Sequence, residues 1–336
     1  MWDSKLIDIE RLRAFAAEAD LSTLGGRCLA LLGQQQATWP RLAQGVASLA
    51  RIETKRVELN AWPVIVQFNP GRAASSLAKV DAASIAKRPC FLCAANSPPE
   101  QRGLRAGRYV LLTNPAPIVP GHLTIVHEEH VPQGIEAGLD AFLDLSRQLG
   151  DGWTMFYNGP RCGASAPDHQ HFQAAPAGQM PIERDLDAGE CIAELKRPHG
   201  TRVRLLADTR NEAERTRCVF VVDGGDPGEV AGAIRSIVAA LPAGQGDGEP
   251  LLNLLCRHDG RGWTATLFPR AVHRPRCYFL EGDGRMLFSP GVMDMAGLVI
   301  TVRAEDFARA DHAVLAGVYR EVSSSTAQCR AVMARL

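Results

Sequence analysis

Apolar positions along the chain follow two periods, one helical and one extended. Ile7, Leu12, Phe15 and Ala16, then Leu42, Val46 and Leu49, recur near helical spacing, so residues 5–52 read as helical. Gly25-Gly26 and Trp39-Pro40 punctuate that stretch. A strand pattern begins near Val57, and Pro63 to Phe68 is an apolar run ended by Asn69-Pro70-Gly71-Arg72. Residues 73–88, rich in Ala and Ser, read as a loop or short helix. Cys90-Phe91-Leu92-Cys93 follows, then a polar loop to Gly107. Tyr109 to Thr113 and His122 to His127 predict two strands of a hairpin with a long connection. Ile135 to Leu149 predicts an amphipathic helix, with Leu139, Phe142, Leu145 and Leu149 on one side. Met155 to Tyr157 predicts a strand, and Asn158 to Pro167 a loop rich in Gly and Pro. His169, His171 and Gln173 then alternate with other residues, which on a strand puts all three on one face.

After Pro176 the pattern starts again. Arg202 to Leu206 and Arg217 to Val222 predict strands, Glu229 to Leu241 a helix, and Gly244 to Glu249 a polar linker. Leu251 to Cys256 and Trp263 to Pro269 predict strands around an Asp259-Gly260 turn. Tyr278 to Phe288 and Leu298 to Val302 read as extended, and Glu305 to Val322 as a closing helix. The fold class this order predicts is α+β, in two halves of similar plan. The sheets should be mostly antiparallel, with helices packed on one face.

Composition narrows the function classes. With 336 residues there is ample core for one large or two medium domains. Thirty-seven basic and 37 acidic residues give a formal net charge of zero, so neither a nucleic-acid partner nor a membrane-surface role is expected. Arg greatly outnumbers Lys, which suits phosphate binding and equally suits a compositional habit of the source genome. No stretch reaches the length of a membrane span. The start, Met-Trp-Asp-Ser-Lys, lacks the charged and apolar regions of a secretory signal. Nine irregularly spaced cysteines in such a chain fit reduced thiols and a cytoplasmic setting better than a disulfide framework.

Two constellations carry chemistry. In His169-x-His171-x-Gln173 one imidazole can attack phosphorus, an amide can donate to a non-bridging oxygen, and N–H groups of the preceding glycine-containing loop can cradle the rest. The alternative is a half-buried strand that happens to carry two histidines. In Cys90-x-x-Cys93 two thiolates can hold one side of a tetrahedral zinc. With no second Cys-x-x-Cys, the other ligands would be histidines, and His122, His127, His130 and His169 are available. Buried thiols acting as small hydrophobes, or a redox pair, are the other readings. Arg270, His273 and Arg274 end a second-half strand, where a phosphate or sugar contact is one reading. Met293 and Met295 read as core.

Together these motifs amount to a resemblance. Cys90-Phe-Leu-Cys93-Ala-Ala-Asn96, the Asn114 turn, the Glu129-His130 corner and His169-x-His171-x-Gln173 occur in the order found in galactose-1-phosphate uridylyltransferases and their histidine-triad relatives. Those relatives include diadenosine tetraphosphate phosphorylases and GDP-hexose phosphorylases. Residues 158–173 resemble the phosphorylase branch most. The resemblance covers residues 63–176 well and extends more weakly through a second copy of the module. It divides the chain into an N-terminal helical extension (1–55), a catalytic histidine-triad-like half (56–200) and a second such half (201–336).

The resemblance implies a nucleotidyltransferase or phosphorylase working by double displacement. The donor would be a nucleoside diphosphate sugar or dinucleoside polyphosphate, and the acceptor inorganic phosphate or a sugar 1-phosphate. His171 matches the nucleophile and Gln173 the amide that contacts the phosphoryl oxygens. Asn158, Arg161, Gly163 and Ser165 fall in the phosphate-binding segment, with Arg161 and Ser165 the least securely aligned. Asn114 matches a ribose contact and Arg72 a phosphate contact. Cys90, Cys93, His130 and His169 match the ligands of one structural zinc per chain. Gln170 stands where the uridylyltransferases have proline, and Pro181-Ile-Glu183 is not followed by the histidines of a second metal site. No second metal is expected, and a homodimer is compatible with the family. Two alternatives stand beside this reading. One is a hydrolase of the same superfamily, and the other a zinc-stabilised nucleotide-binding module without turnover.

Overall fold

A computed structural model describes residues 2–73, 81–243 and 248–336. Residues 74–80 of the Ala- and Ser-rich stretch and 244–247 of the polar linker lie outside the described residues. Two helices, Leu24–Thr38 and Pro40–Leu49, fill most of the helical N-terminal region and meet at Trp39-Pro40. Gly25 and Gly26 fall inside the first turn of the former helix rather than between elements. A Cβ on Gly25 would meet the Leu149 carbonyl and the Trp153 ring, so the glycine serves close packing.

Strands β1 (Glu53–Val57) and β2 (Val64–Phe68) pair antiparallel. Then come β3 (Gly103–Ala106), β4 (Tyr109–Thr113) and β5 (Leu123–His127), each antiparallel to the next. The Ile135–Leu149 helix crosses back, and β6 (Trp153–Asn158) and β7 (His171–Pro176) follow. The second half runs β8 (Glu190–Lys196), β9 (Arg202–Ala207) and β10 (Cys218–Gly224), the Pro227–Ala240 helix, then β11 (Leu252–His258) and β12 (Trp263–Pro269). One sheet takes in ten of these strands, in the order β3-β4-β5-β7-β6-β11-β12-β10-β9-β8. Read inward from either edge, the order is the same: three strands, then the last strand of the half, then the one before it. The halves are therefore a topological repeat, joined where β6 pairs with β11, Asn158 opposite Asn253 and Met155 opposite Cys256.

Both faces of this sheet are covered. On one, Phe142, Leu143 and Ile234 of the two crossing helices pack with Ile125, Phe172, Leu254 and Leu267. On the other, β2 pairs in parallel with β13 (Leu298–Thr301). Val64, Val66, Met293, Leu315 and Tyr319 there meet Phe156, Val221, Leu255 and Phe268. The expectation of helices on one face is corrected accordingly. β4 and β6 are buried at every position, and a strand apolar on both sides needs cover on both.

Two further readings are corrected. Tyr278 to Phe288 is not extended; it contains short helical turns at Arg276–Phe279 and Gly282–Gly284, the latter opened by Gly282 at φ +58°. The closing helix is broken into Ala304–Arg309 and His312–Val322, because Asp311 leaves helical geometry and caps the Val314 N–H. A further helix, Thr326–Met333, follows with Ser325 and Gln328 forming a capping box. Within the ten-stranded sheet, the strands that the pattern does not predict, β3 and β8, are the two edges. Edge strands carry mixed polarity and so lack a clean alternation.

Candidate active site and metal centre

A cavity of about 520 Å³ opens at the N-terminal end of β7, on the face away from the crossing helices. His171, Gln173, Asn158, Arg72, Asn114, Gly163 and Ser165 all line it. Arg161 does not; its guanidinium donates to the Glu249 carbonyl at 3.0 Å. Gly163 has φ +102°, and a Cβ there would sit 2.9 Å from the Gly291 Cα, so this turn accepts only glycine.

His171 is held in one tautomer. Its Nδ1 lies 2.8 Å from the His169 carbonyl, an acceptor only, so Nδ1 carries the proton and Nε2 bears the lone pair. Burial pushes its pKa down to about 4, offset in part by that carbonyl. The imidazole is therefore neutral near pH 7, the nucleophilic form.

The two flanking amides are oriented by the same kind of constraint. The Ile118 N–H donates to His122 Nδ1 at 3.3 Å, so His122 carries its proton on Nε2 and donates it to Gln173 Oε1 at 2.8 Å. Gln173 thus turns its NH₂ away from His122. Burial, reinforced by the Arg72 charge, pushes the His122 pKa down to about 3, so this donor stays neutral. Asn158 Oδ1 accepts from Asn253 Nδ2 and from the Val292 N–H, both at 2.8 Å, which leaves its NH₂ without a partner among the described residues. Two amide donors therefore border His171. His122 was legible in the sequence only as a spare metal-ligand candidate; its partner became visible once β5 and β7 were paired, with Thr124 opposite Gln173.

Around the Asn114 turn, Asn114 Oδ1 accepts from the Ala116 N–H at 3.0 Å, and its amide donates to Thr124 Oγ1. Arg72 Nη1 donates to the Ala116 carbonyl at 2.5 Å, while its buried Nε has no partner among the described residues. Burial lowers the Arg72 pKa to about 10, against the raising effect of Asp294.

Cys90, Cys93, His130 and His169 bring one ligand atom each to within 4.8 Å of one another. Both imidazoles turn Nδ1 toward the thiols, at 3.3 to 3.6 Å. Their Nε2 atoms point outward, His169 to the His127 carbonyl at 2.9 Å and His130 toward Asp168 at 3.8 Å. Two sulfurs and two outward-anchored imidazoles are the donor chemistry of a closed tetrahedral site, so this cluster can hold a metal. Cys90 is buried, which pushes its thiol up to about 12. His127, the rival third ligand, accepts the Glu129 N–H at Nδ1 and stands outside the cluster. His169 lies just before β7, so the strand face begins with His171.

The second half supplies the opposite wall of the cavity with His273, Arg274, Leu287, Ser289 and Gly291 to Asp294. Asp294 is buried, which raises its pKa to about 6, while its oxygens accept the Gly291 and Ile300 N–H groups. Met293 and Met295 are core residues.

A family model described as a domain of unknown function, DUF4922, matches residues 31–176, fewer than half of the chain. No curated protein matches the sequence. Among solved structures, the yeast Ap4A phosphorylase Apa2 is similar at 17% identity over 85% of this chain and 97% of that one, with a TM-score of 0.55. Its complex with AMP gives 18%, 85%, 96% and 0.55, and its complex with Ap4A 17%, 85%, 97% and 0.53. The chain therefore shares the α+β fold of that phosphorylase.

Proposed function

We propose that this chain is a nucleotidyltransferase of the phosphorylase type. Its donor is a nucleoside diphosphate sugar or a dinucleoside polyphosphate, and its acceptor is inorganic phosphate or a sugar 1-phosphate. The observation that carries this reading is the geometry at His171. A neutral imidazole has Nδ1 committed to a carbonyl, and two amides beside it have their oxygens committed elsewhere. Such a constellation suits attack on phosphorus and donation to the oxygens around it.

In the first step Nε2 of His171 forms a bond to the α-phosphorus of the donor as the bond to the leaving phosphate oxygen breaks. In the second step an acceptor phosphate oxygen attacks the same phosphorus and the P–N bond breaks, returning the lone pair to Nε2. The Asn158 and Gln173 NH₂ groups donate to the equatorial oxygens in both steps, and Arg72 balances their charge. Asn114 fixes the turn against which the ribose would rest. Cys90, Cys93, His130 and His169 would hold zinc, whose contribution is to cross-link the Cys90 turn to the start of β7. With four protein ligands it leaves no position for substrate.

Product analysis tests the reading. A panel of nucleoside diphosphate sugars and dinucleoside polyphosphates is incubated with and without phosphate. The expected result is a nucleoside diphosphate formed only when phosphate is present. A nucleoside monophosphate as the main product in both cases would favour hydrolysis, and no turnover of any donor would favour a binding module.

A further inference from the structure

Three arginines, Arg41, Arg72 and Arg274, line the cavity, against one carboxylate, Asp294, whose oxygens are already taken by backbone N–H groups. Two neighbouring arginines at the end of β12 show how differently such groups are used. A guanidinium has five N–H donors. Arg270 spends all five: Nε on the Val322 carbonyl, Nη1 on Asn253 Oδ1 and the Pro290 carbonyl, and Nη2 on the Val272 and His273 carbonyls. It is a structural residue that shapes the loop after β12. Arg274, presented by that loop, spends one among the described residues, from Nε to Ser289 Oγ at 2.9 Å. Its plane lies over the Tyr278 ring, 4.3 Å from the centroid. No carboxylate pairs with it among the described residues, and it faces the cavity.

From this we infer that Arg274 forms an anion subsite in the second half, taking a phosphate group of the substrate other than the one His171 attacks. Held at Nε and on its face, the guanidinium keeps both Nη groups free as a planar fork, which matches two oxygens of a phosphate at once. The pinning by Ser289 and Tyr278 lowers the ordering cost of that contact. The inference deepens the proposed function and rests on it for the word substrate: the phosphate is the one carried by the leaving group or the acceptor. The anion site itself stands on the geometry of Arg274.

Calorimetric titration at fixed ionic strength tests it, with tripolyphosphate, glucose 1-phosphate and inorganic phosphate as probes. The variants are Arg274→Gln, Arg274→Lys, which keeps the charge without the fork, and Arg276→Gln, a control whose side chain is 91% exposed. Tripolyphosphate affinity should fall about tenfold or more in Arg274→Gln, fall less in Arg274→Lys, and stay unchanged in Arg276→Gln. The smaller probe that shares this dependence names the source, a sugar phosphate or free phosphate. Wild-type affinity in Arg274→Gln, equal losses in Arg274→Gln and Arg276→Gln, or no probe binding to the wild type would overturn it. Because binding is read without turnover, Arg274-dependent binding in a protein that turns over no donor would sink the proposed function and leave the anion site standing.

Discussion

A side-chain amide can present either its oxygen or its NH₂, and at Gln173 and Asn158 the neighbouring groups remove that choice. This has consequences that substitution can read. In Gln173→Glu a carboxylate oxygen would stand where the NH₂ stood and repel a phosphoryl group. Turnover should fall further than in Gln173→Ala, with the loss of one such donor setting a scale of about 10²-fold. In His122→Phe the lock on Gln173 is lost while the charge of the cavity is unchanged. The expected result is a lower kcat with a wild-type metal content; a wild-type kcat would show that the amide needs no lock. The residue types of the site were legible in the sequence because the ordered motifs name them: His171, Gln173 and Asn158 all reach one cavity. Their orientations were not legible. They depend on His122 and Asn253, which lie 51 and 95 residues away in the chain and become neighbours only when strands pair.

At the scale of elements, β6 and β7 pair from Trp153 opposite Pro176 to Phe156 opposite Gln173, and then part. The buried amide of Gln133 fills the opening. It donates to the carbonyls of Asn158 and His171, both at 3.0 Å, and accepts the His171 N–H at 2.8 Å. Gln133→Leu would leave three buried backbone groups unpaired, a cost of roughly 3–5 kcal/mol, measurable by urea unfolding. Glu249 ties the second half to the same region, accepting the Ile135 N–H at 2.5 Å and the Tyr157 hydroxyl at 2.8 Å. Burial raises its pKa from 4.5 to about 6. The folded state then holds a proton that the unfolded chain releases, so this group's contribution to stability falls as pH rises from 4.5 to 6 and is level above. The stability of Glu249→Gln relative to wild type should therefore improve across that window, by an amount on the order of 2 kcal/mol, and stay constant from pH 6.5 to 8. A difference independent of pH would contradict the shift. Element types followed from hydrophobic period where burial was one-sided, as in Ile135–Leu149. They failed at β3, β8 and the Tyr278 region, where turn residues and edge exposure blur the pattern.

For the whole molecule, the repeat of strand order gives a pseudo-twofold sheet in which only one half carries the His-x-His-x-Gln motif. Phe156 pairs with Leu255 across the junction; Phe156 also pairs with Gln173, and Leu255 with Thr266. Thr264 and Thr266 thus stand in β12 where His171 and Gln173 stand in β7. The second copy has no imidazole at that place and instead closes the cavity with Arg274, Ser289 and Asp294. This division could not be read from the chain, because the two copies share topology without sharing motifs. A metal held by Cys90, Cys93, His130 and His169 would tie the Cys90 turn to the start of β7, so its removal should act on the whole fold. Protein purified without added zinc should contain about one per chain, and a strong chelator should lower the melting temperature. A metal-free protein with unchanged melting would contradict a structural zinc.

The central claim is that His171 carries the nucleotidyl group between donor and acceptor. The most direct measurement is the intact mass of the protein after brief incubation with each donor of the panel and no acceptor. The account predicts an adduct of one nucleoside monophosphate per chain, acid-labile and alkali-stable as a phosphoramidate is, mapping to His171 and absent from His171→Ala. Turnover of a donor by wild-type protein without any adduct, or near wild-type turnover in His171→Ala, would contradict it.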